Sequence, residues 1–401
     1  MENPYDYIKP IKDEKRFADR KNELKEIEYV LDLTKGGTYF NVAILGERRV
    51  GKTSLLNIIA KGAGKRNLLT VMIKLDENNA NLLEVFKMIE ERIISEGSKY
   101  GLFPKWKDYF SQLINGVEKI EIPLLLPKIY FSKKSRGDMD VSYTTLENDM
   151  EKFWEKVNKK VDGIVIMVDE SQLLARDKAL LQRIRNLFET IDGYVLIFSG
   201  TPDMLEGLSE VFSPIDRFFV KVYIGPFKNK EDAEEAISKP ISNMDIKFDK
   251  DSMNRIIEIS RRYPYEINLI SHFAFRTSQE KGENVIKLDQ NVLESVTIQV
   301  QKMKEYKGMF DSLAEKEKDF ITWFVEVGSS VDRTSLAEHL KEDKEDAREI
   351  KEIRNSLTMY FKRLMRKRII EKDKTEGRRV FYKIKDPWLE LYVRYGQKPE
   401  V

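Results

Sequence analysis

The chain has 401 residues, 41% hydrophobic and 34% charged, which is too long for one ordinary core and points to two or three domains. Its net charge of +2 decides neither for nor against a polyanionic partner, so any such reading must come from local clustering. There are no cysteines and only two histidines, His272 and His339. That excludes disulfides, thiolate zinc sites and a cysteine nucleophile, and disfavours a histidine metal site or a Ser-His-Asp triad.

In chain order, the first 17 residues contain no continuous apolar stretch of the secretory kind. Nowhere do about 18 apolar residues run together, so the expectation is a cytoplasmic protein without a membrane partner. From Tyr39 short apolar runs alternate with longer amphipathic ones. The runs Tyr39–Leu45, Leu69–Leu75, Gly163–Val168, Tyr194–Phe198 and Phe218–Ile224 read as strands buried on both faces, as in a parallel sheet. Stretches such as Leu82–Ile94 and Lys178–Ile191 carry helical spacing, and the alternation predicts an α/β layered domain.

Residues 101–145 break this rhythm and read as an insertion. Its apolar patch Leu124–Leu126 is either local core or a contact surface for a protein partner. After Gly225-Pro226-Phe227 the pattern turns helical, over Lys230–Ser238, Asp251–Ser260 and Tyr265–Gln279. From Met309 three amphipathic helices, Glu315–Val327, Thr334–Leu340 and Ile353–Arg368, precede a strand pair, Ile369–Lys374 and Arg379–Ile384. That order predicts a winged helix-turn-helix.

Gly46-Glu47-Arg48-Arg49-Val50-Gly51-Lys52-Thr53, followed by Ser54, matches G-x-x-x-x-G-K-[ST] between a predicted strand and a predicted helix, the context this motif requires. The glycines let successive backbone N–H groups turn inward around phosphate oxygens, and the helix N-terminus adds its dipole. Lys52 then reaches the β- and γ-phosphates and Thr53 ligates Mg²⁺. ATP or ADP with Mg²⁺ is the expected ligand.

Gly163–Val168 ends in Asp169-Glu170. Beside a phosphate loop, Asp169 can hold the Mg²⁺ shell and Glu170 can deprotonate an attacking water, which favours an ATPase over a kinase. The next strand ends in Ser199-Gly200-Thr201. The hydroxyls there, Thr201 among them, can sense the γ-phosphate if that strand lies between the first and third; the alternative is a helix cap before Pro202. Arg217, before the fifth strand, suits transition-state charge in cis or from a neighbouring subunit, or pairs with Asp216 or another acid at the surface.

With these residues in place the chain resembles the prokaryotic and archaeal AAA+/STAND-type ATPases related to origin-recognition initiators and transposition-regulating ATPases. The resemblance rests on Phe17-Ala18-Asp19-Arg20, the phosphate loop, the Asp169-Glu170 strand, Ser199–Thr201, and the Arg217 region with Ile224-Gly225-Pro226-Phe227. It implies a P-loop fold of the ASCE/AAA+ kind, its parallel five-stranded sheet in the order 5-1-4-3-2. It further implies a helical lid and often a C-terminal winged helix, placed here at 1–226, 227–305 and 306–401. It also implies that Arg20 lies near the adenine. Tyr263-Pro264-Tyr265 stands where a lid turn approaches the nucleotide, with Arg261-Arg262 in place of the family's glycine.

On the long C-terminal helix Ile353, Leu357, Phe361 and Leu364 form an apolar stripe, while Lys351, Arg354, Lys362 and Arg366 share another face. The turn of the strand pair adds Arg378 and Arg379. Such a helix and wing can straddle double-stranded DNA, yet winged helices of this class also mediate protein contact and assembly, including homo-oligomers. The expected activity is a nucleotide switch, with DNA engagement or partner assembly as its output.

Overall fold

The five apolar runs become five parallel strands because their side chains find hydrophobic partners on both faces. These are β1 (Asn41–Leu45), β2 (Leu68–Lys74), β3 (Gly163–Asp169), β4 (Tyr194–Gly200) and β5 (Phe219–Tyr223). In this computed structural model, which describes residues 2–99, 143–302, 304–342 and 348–395, they form one sheet in the order β2-β3-β4-β1-β5. This is the expected 5-1-4-3-2 order. Residues 101–142 of the expected insertion, including Leu124–Leu126, lie outside the described residues.

Alternation along β1 shows how the layers are built. Val42 and Ile44 join a core with α1 (Lys21–Thr34) and α2 (Lys52–Lys65). Ala43 and Leu45 join the opposite core with α3 (Leu82–Lys99), α4 (Tyr143–Val157), α5 (Lys178–Thr190) and α6 (Met204–Val211). Burying a valine, leucine or isoleucine side chain is worth about 1.5–3 kcal/mol, so the sheet's position is fixed from both sides. The register sets Leu45 beside Gly200 and Asp169 beside Ser199. The ends of β1, β3 and β4 are thereby aligned at one edge of the sheet, where ligands of open α/β sheets bind.

The described residues group into two contact units, Asp6–Asn243 with Arg262–Tyr265, and Met1–Tyr5 with Met244–Arg261 and Glu266–Val401. The first holds the sheet, its covering helices and α7 (Lys230–Ser238). In the second, the two-residue strands β6 (Lys247–Phe248) and β7 (Val285–Ile286) pair in parallel. Helices α8 (Lys250–Ile259), α9 (Pro264–Glu280) and α10 (Gln290–Gln301) come from this region of the chain. Asp249 and Asp289 cap α8 and α10, accepting from Ser252 N at 2.9 Å and Val292 N at 3.0 Å, which is why these helices start where they do. Tyr5, 1% exposed, is set edge-on against Phe248 and Phe275, each at 6.1 Å.

The chain continues through α11 (Lys304–Asp311), α12 (Glu315–Val327), α13 (Arg333–Glu342) and α14 (Ile350–Arg366). The antiparallel pair β8 (Ile370–Glu376) and β9 (Arg379–Ile384) and then α15 (Pro387–Tyr395) follow. Gly377, with φ at 60°, supplies the left-handed residue of the tight turn between the strands. Val331, before α13, bridges to Tyr382 of β9. Ile353, Leu357, Phe361 and Leu364 are the buried stripe of α14, as the spacing predicts. Glu317 ties this region together, accepting from the Ala314 amide at 3.0 Å and from Lys367 Nζ at 2.6 Å.

Among the described residues no helix is long and apolar enough to cross a membrane.

Candidate functional site

The loop between β1 and α2 is shaped by its two glycines. A Cβ on Gly46 would lie 2.5 Å from the Ile224 carbonyl oxygen and 2.9 Å from Val50 Cγ2, so only glycine fits beside β5. The Gly46 amide donates to the Gly200 carbonyl at 3.1 Å, tying the loop's first residue to the end of β4. Gly51 caps α2 with φ 93° and ψ 23°, a conformation glycine takes without steric penalty. Arg49, at φ 69°, also turns left-handed, and Val50 is buried at 1% exposure. Glu47 and Arg48 occupy the loop's variable positions, with Arg48 exposed.

Lys52, the first residue of α2, is 7% exposed, and its Nζ donates to the carbonyls of Gly46 and Glu47 at 2.8 Å each. The ammonium thus sits inside the loop's curve. Burial lowers its pKa, against the pull of Glu170 and Asp169. A phosphate anion in the same hollow would offset that desolvation.

Thr53 and Asp169 meet across the sheet edge: the threonine hydroxyl donates to Asp169 Oδ2 at 2.7 Å. Asp169 is wholly buried and its Oδ1 has no hydrogen-bond partner among the described residues. An unpaired buried acceptor costs about 1–3 kcal/mol, so this carboxylate is arranged for something the chain does not supply. Burial is also the main cause that raises its pKa; the Thr53 bond opposes it and Glu170 adds to it. Among the described residues no group of three or more His, Asp or Glu gathers around a common point. A hydroxyl and one orphaned carboxylate oxygen instead match a Mg²⁺ ion that takes its remaining oxygens from phosphates and water.

Glu170 follows in the left-handed region at φ 60°, half-buried, at the head of the short 3-10 turn Ser171–Arg176. Its Oε2 accepts from Gln172 Nε2 at 2.5 Å, and Gln172 Oε1 accepts from the Thr201 amide at 3.3 Å. β4 does lie between β1 and β3, the placement Thr201 needed as a γ-phosphate sensor. Beside it, Ser199 is buried, and its hydroxyl has no hydrogen-bond partner among the described residues.

Arg20 is 3% exposed. It donates to the Val50 carbonyl at 3.1 Å and to the Gly225 carbonyl, and its guanidinium lies 5.2 Å from the Phe227 ring centre. It therefore fastens the phosphate loop to the turn after β5. Arg49 lies over the Tyr265 ring at 5.1 Å, and Pro264 precedes that tyrosine. Ser54, in the first turn of α2, accepts from the Ile11 amide at 3.0 Å, so an N-terminal segment runs along that turn.

Arg217 is not gathered into this group. It is exposed and precedes β5, whose first residue, Phe219, pairs with Asn41 at the far end of β1. The distance from Phe219 to Tyr223, beside Leu45, is about 13 Å at a strand's rise of about 3.3 Å per residue, and Arg217 lies beyond Phe219. Asp216 pairs with Lys221 at 2.6 Å, not with Arg217. In the other unit Lys351, Arg354, Lys362, Arg366, Arg378 and Arg379 are all exposed. Of these, Arg379 meets Asp332 at 3.6 Å. The contacts of Gln172, Phe227 and Tyr265 were not read from the sequence, although Phe227 and Tyr265 lie in the segments that carry the family resemblance and Gln172 stands two positions past Glu170.

Residues 17–200 match the family model of an ATPase domain found predominantly in Archaea. Over 356 residues, 84% of this chain and 82% of the relative, the sequence is 22% identical to an uncharacterized HTH-type transcriptional regulator of Methanocaldococcus jannaschii. Among solved structures it is similar to the Walker-type ATPase of Pyrococcus abyssi, with a TM-score of 0.59, 16% identity, and 98% and 99% of the two chains covered. It is also similar to the ORC2 protein of Aeropyrum pernix, solved as ADPNP–ADP complexes, at a TM-score of 0.54 and 11% identity over 98% and 97% of the chains. At such identities the structural likeness is one of fold.

Proposed function

We propose that the chain, whose residues 17–200 match an ATPase domain found predominantly in Archaea, is an ATP-hydrolysing switch whose nucleotide state governs engagement of double-stranded DNA. The observation that carries the hydrolytic part is the buried Thr53–Asp169 pair with its orphaned Oδ1, set beside a buried Lys52. In this reading Lys52 leaves the two loop carbonyls for the β- and γ-phosphate oxygens. Thr53 and Asp169 hold Mg²⁺, which when bound supplies positive charge against the phosphates. Glu170 accepts a proton from water as its oxygen bonds to the γ-phosphorus and the bond to the β-phosphate oxygen breaks, leaving ADP and phosphate. Residues 46–54, Arg20, Thr201 and Pro264 surround the nucleotide, the last three by direct contact or by fixing the loop. Arg217, remote along β5 from its own phosphate loop, acts in this reading from a neighbouring copy of the chain.

Residues 227–305 then serve as the lid and 306–401 as a winged helix that engages the duplex. Lys351, Arg354, Lys362 and Arg366 give α14 one exposed basic face, and Arg378 and Arg379 the wing. Exposed Met359 and Ile350 on the same helix favour the alternative, a STAND-like module for protein assembly. Phosphate release by the parent and by Glu170→Gln tests the hydrolytic reading: the parent turns over with Mg²⁺ and the variant stalls. Release by the parent no faster than the uncatalysed background would leave only a nucleotide-dependent scaffold. Duplex binding that weakens with salt, and weakens further in Arg378→Ala/Arg379→Ala, tests the DNA reading. Binding indifferent to both would leave the assembly reading.

A further inference from the structure

Gln172 is held at both ends of its amide. A backbone N–H can only donate, so Oε1 faces the Thr201 amide at 3.3 Å, which leaves Nε2 to donate to Glu170 Oε2 at 2.5 Å. No other natural side chain of this length offers an acceptor to one partner and a neutral donor to the other. Among the described residues Gln172 is the sole hydrogen-bond donor to the Glu170 carboxylate.

The backbone is shaped around this bridge. A Cβ on Gly200 would come within 2.8 Å of Gln172 Oε1 and 3.0 Å of its backbone nitrogen, so the end of β4 is bare where the amide crosses it. Glu170 takes the left-handed conformation, uncommon for a residue with a Cβ and held only where its surroundings dictate it. Ser171 Oγ donates to the Val168 carbonyl at 2.6 Å and accepts from the Ser199 amide at 3.3 Å, bracing the same turn against β4.

We propose that Gln172 is a positioning residue for hydrolysis, linking the tip of β4 to the Glu170 carboxylate. The inference rests on the hydrolytic reading above and extends it. With Oε2 engaged by the amide, Glu170 Oε1 is the oxygen left to take the proton of the attacking water. A shift of Ser199–Thr201 on contact with the γ-phosphate passes through Gln172 to that oxygen, so the base is aligned when the phosphate is in place.

The test is single-turnover ATP hydrolysis by the full chain, with ATP affinity measured beside it. Gln172→Met keeps the length and removes both hydrogen bonds. Gln172→Glu keeps the shape and the acceptor for Thr201 but replaces the donor by a like charge. Both are expected to slow hydrolysis about 10- to 100-fold, as the loss of a hydrogen bond to a charged group does, with ATP affinity within about threefold of the parent. Gln172→Glu is expected to be the slower, whereas a packing role would spare it. In a Glu170→Gln background, Gln172→Met should add no further loss. Parent-like hydrolysis by both Gln172 variants beside a stalled Glu170→Gln would overturn the proposal, as would a loss seen equally in ATP affinity. Parent-like hydrolysis by Glu170→Gln would remove Glu170 as the base on which the proposal rests, and no hydrolysis by the parent would sink the hydrolytic reading itself.

Discussion

The carboxyl edge of the sheet and the basic face of α14 differ in what it costs the protein to keep their charges. At the sheet edge Lys52 is 7% exposed and Asp169 is wholly buried with an unpaired oxygen. Charges withdrawn from water are expensive unless compensated, so a ligand explains them better than solvent does. On α14 the cations lie in water, where they cost almost nothing. Solvation explains them as well as DNA does, and only a binding measurement separates the two.

The sharpest break of this contrast would come at Glu170. Substitution by glutamine is expected to lower hydrolysis about 10²- to 10⁴-fold while ATP affinity stays within about threefold, read by phosphate release and nucleotide titration. Lys52→Ala is expected to weaken ATP binding about 100-fold, since two charge-assisted contacts to phosphate are lost, as seen by calorimetry. On the exposed face the expected effects are smaller. Each of Lys351→Ala, Arg354→Ala, Lys362→Ala and Arg366→Ala should reduce the slope of log affinity for duplex against log salt by about 1, and leave nucleotide binding alone. A larger effect on ATP than on DNA would erase the distinction between the two surfaces.

The smallest expected effect is structural. Burial acts to raise the Glu317 pKa, but hydrogen bonds from Lys367 and the Ala314 amide outweigh it and hold the carboxyl below its usual range. Its contribution is then present above the unfolded glutamate value and lost as pH falls through the lowered folded one. Glu317→Gln should cost about 1–2 kcal/mol near neutral pH and less under acid, measured by thermal melts at several pH values.

What could be read from the sequence was whatever depends on neighbours along the chain. The strand runs are legible because burial on both faces leaves no polar residue in Val42–Leu45 or Ile164–Val168. The phosphate loop is legible because its glycines answer local backbone demands. Arg20 is different. Its bonds to Val50 and Gly225 join positions 30 and 205 residues away, and no local pattern encodes them. Gln172 likewise meets Thr201 only because β4 is inserted between β1 and β3. Arg217 shows a third case. Its end of the sheet follows from the parallel direction of β5, so its distance from its own phosphate loop was implicit in the predicted strand order.

Tyr5 has a practical consequence. Residues 1–5 belong to the contact unit whose other members begin at Met244, and the chain changes unit at 5/6, 243/244, 261/262 and 265/266. Cutting the polypeptide after Asn243 does not release that unit whole. The excised C-terminal piece would leave behind the tyrosine that fills the hollow beside Phe248 and Phe275, and with it the Asn3 amide's bond to the His272 carbonyl. A truncation designed by residue number alone would therefore expose two aromatic rings, and a fragment meant for testing duplex binding needs its first five residues grafted back.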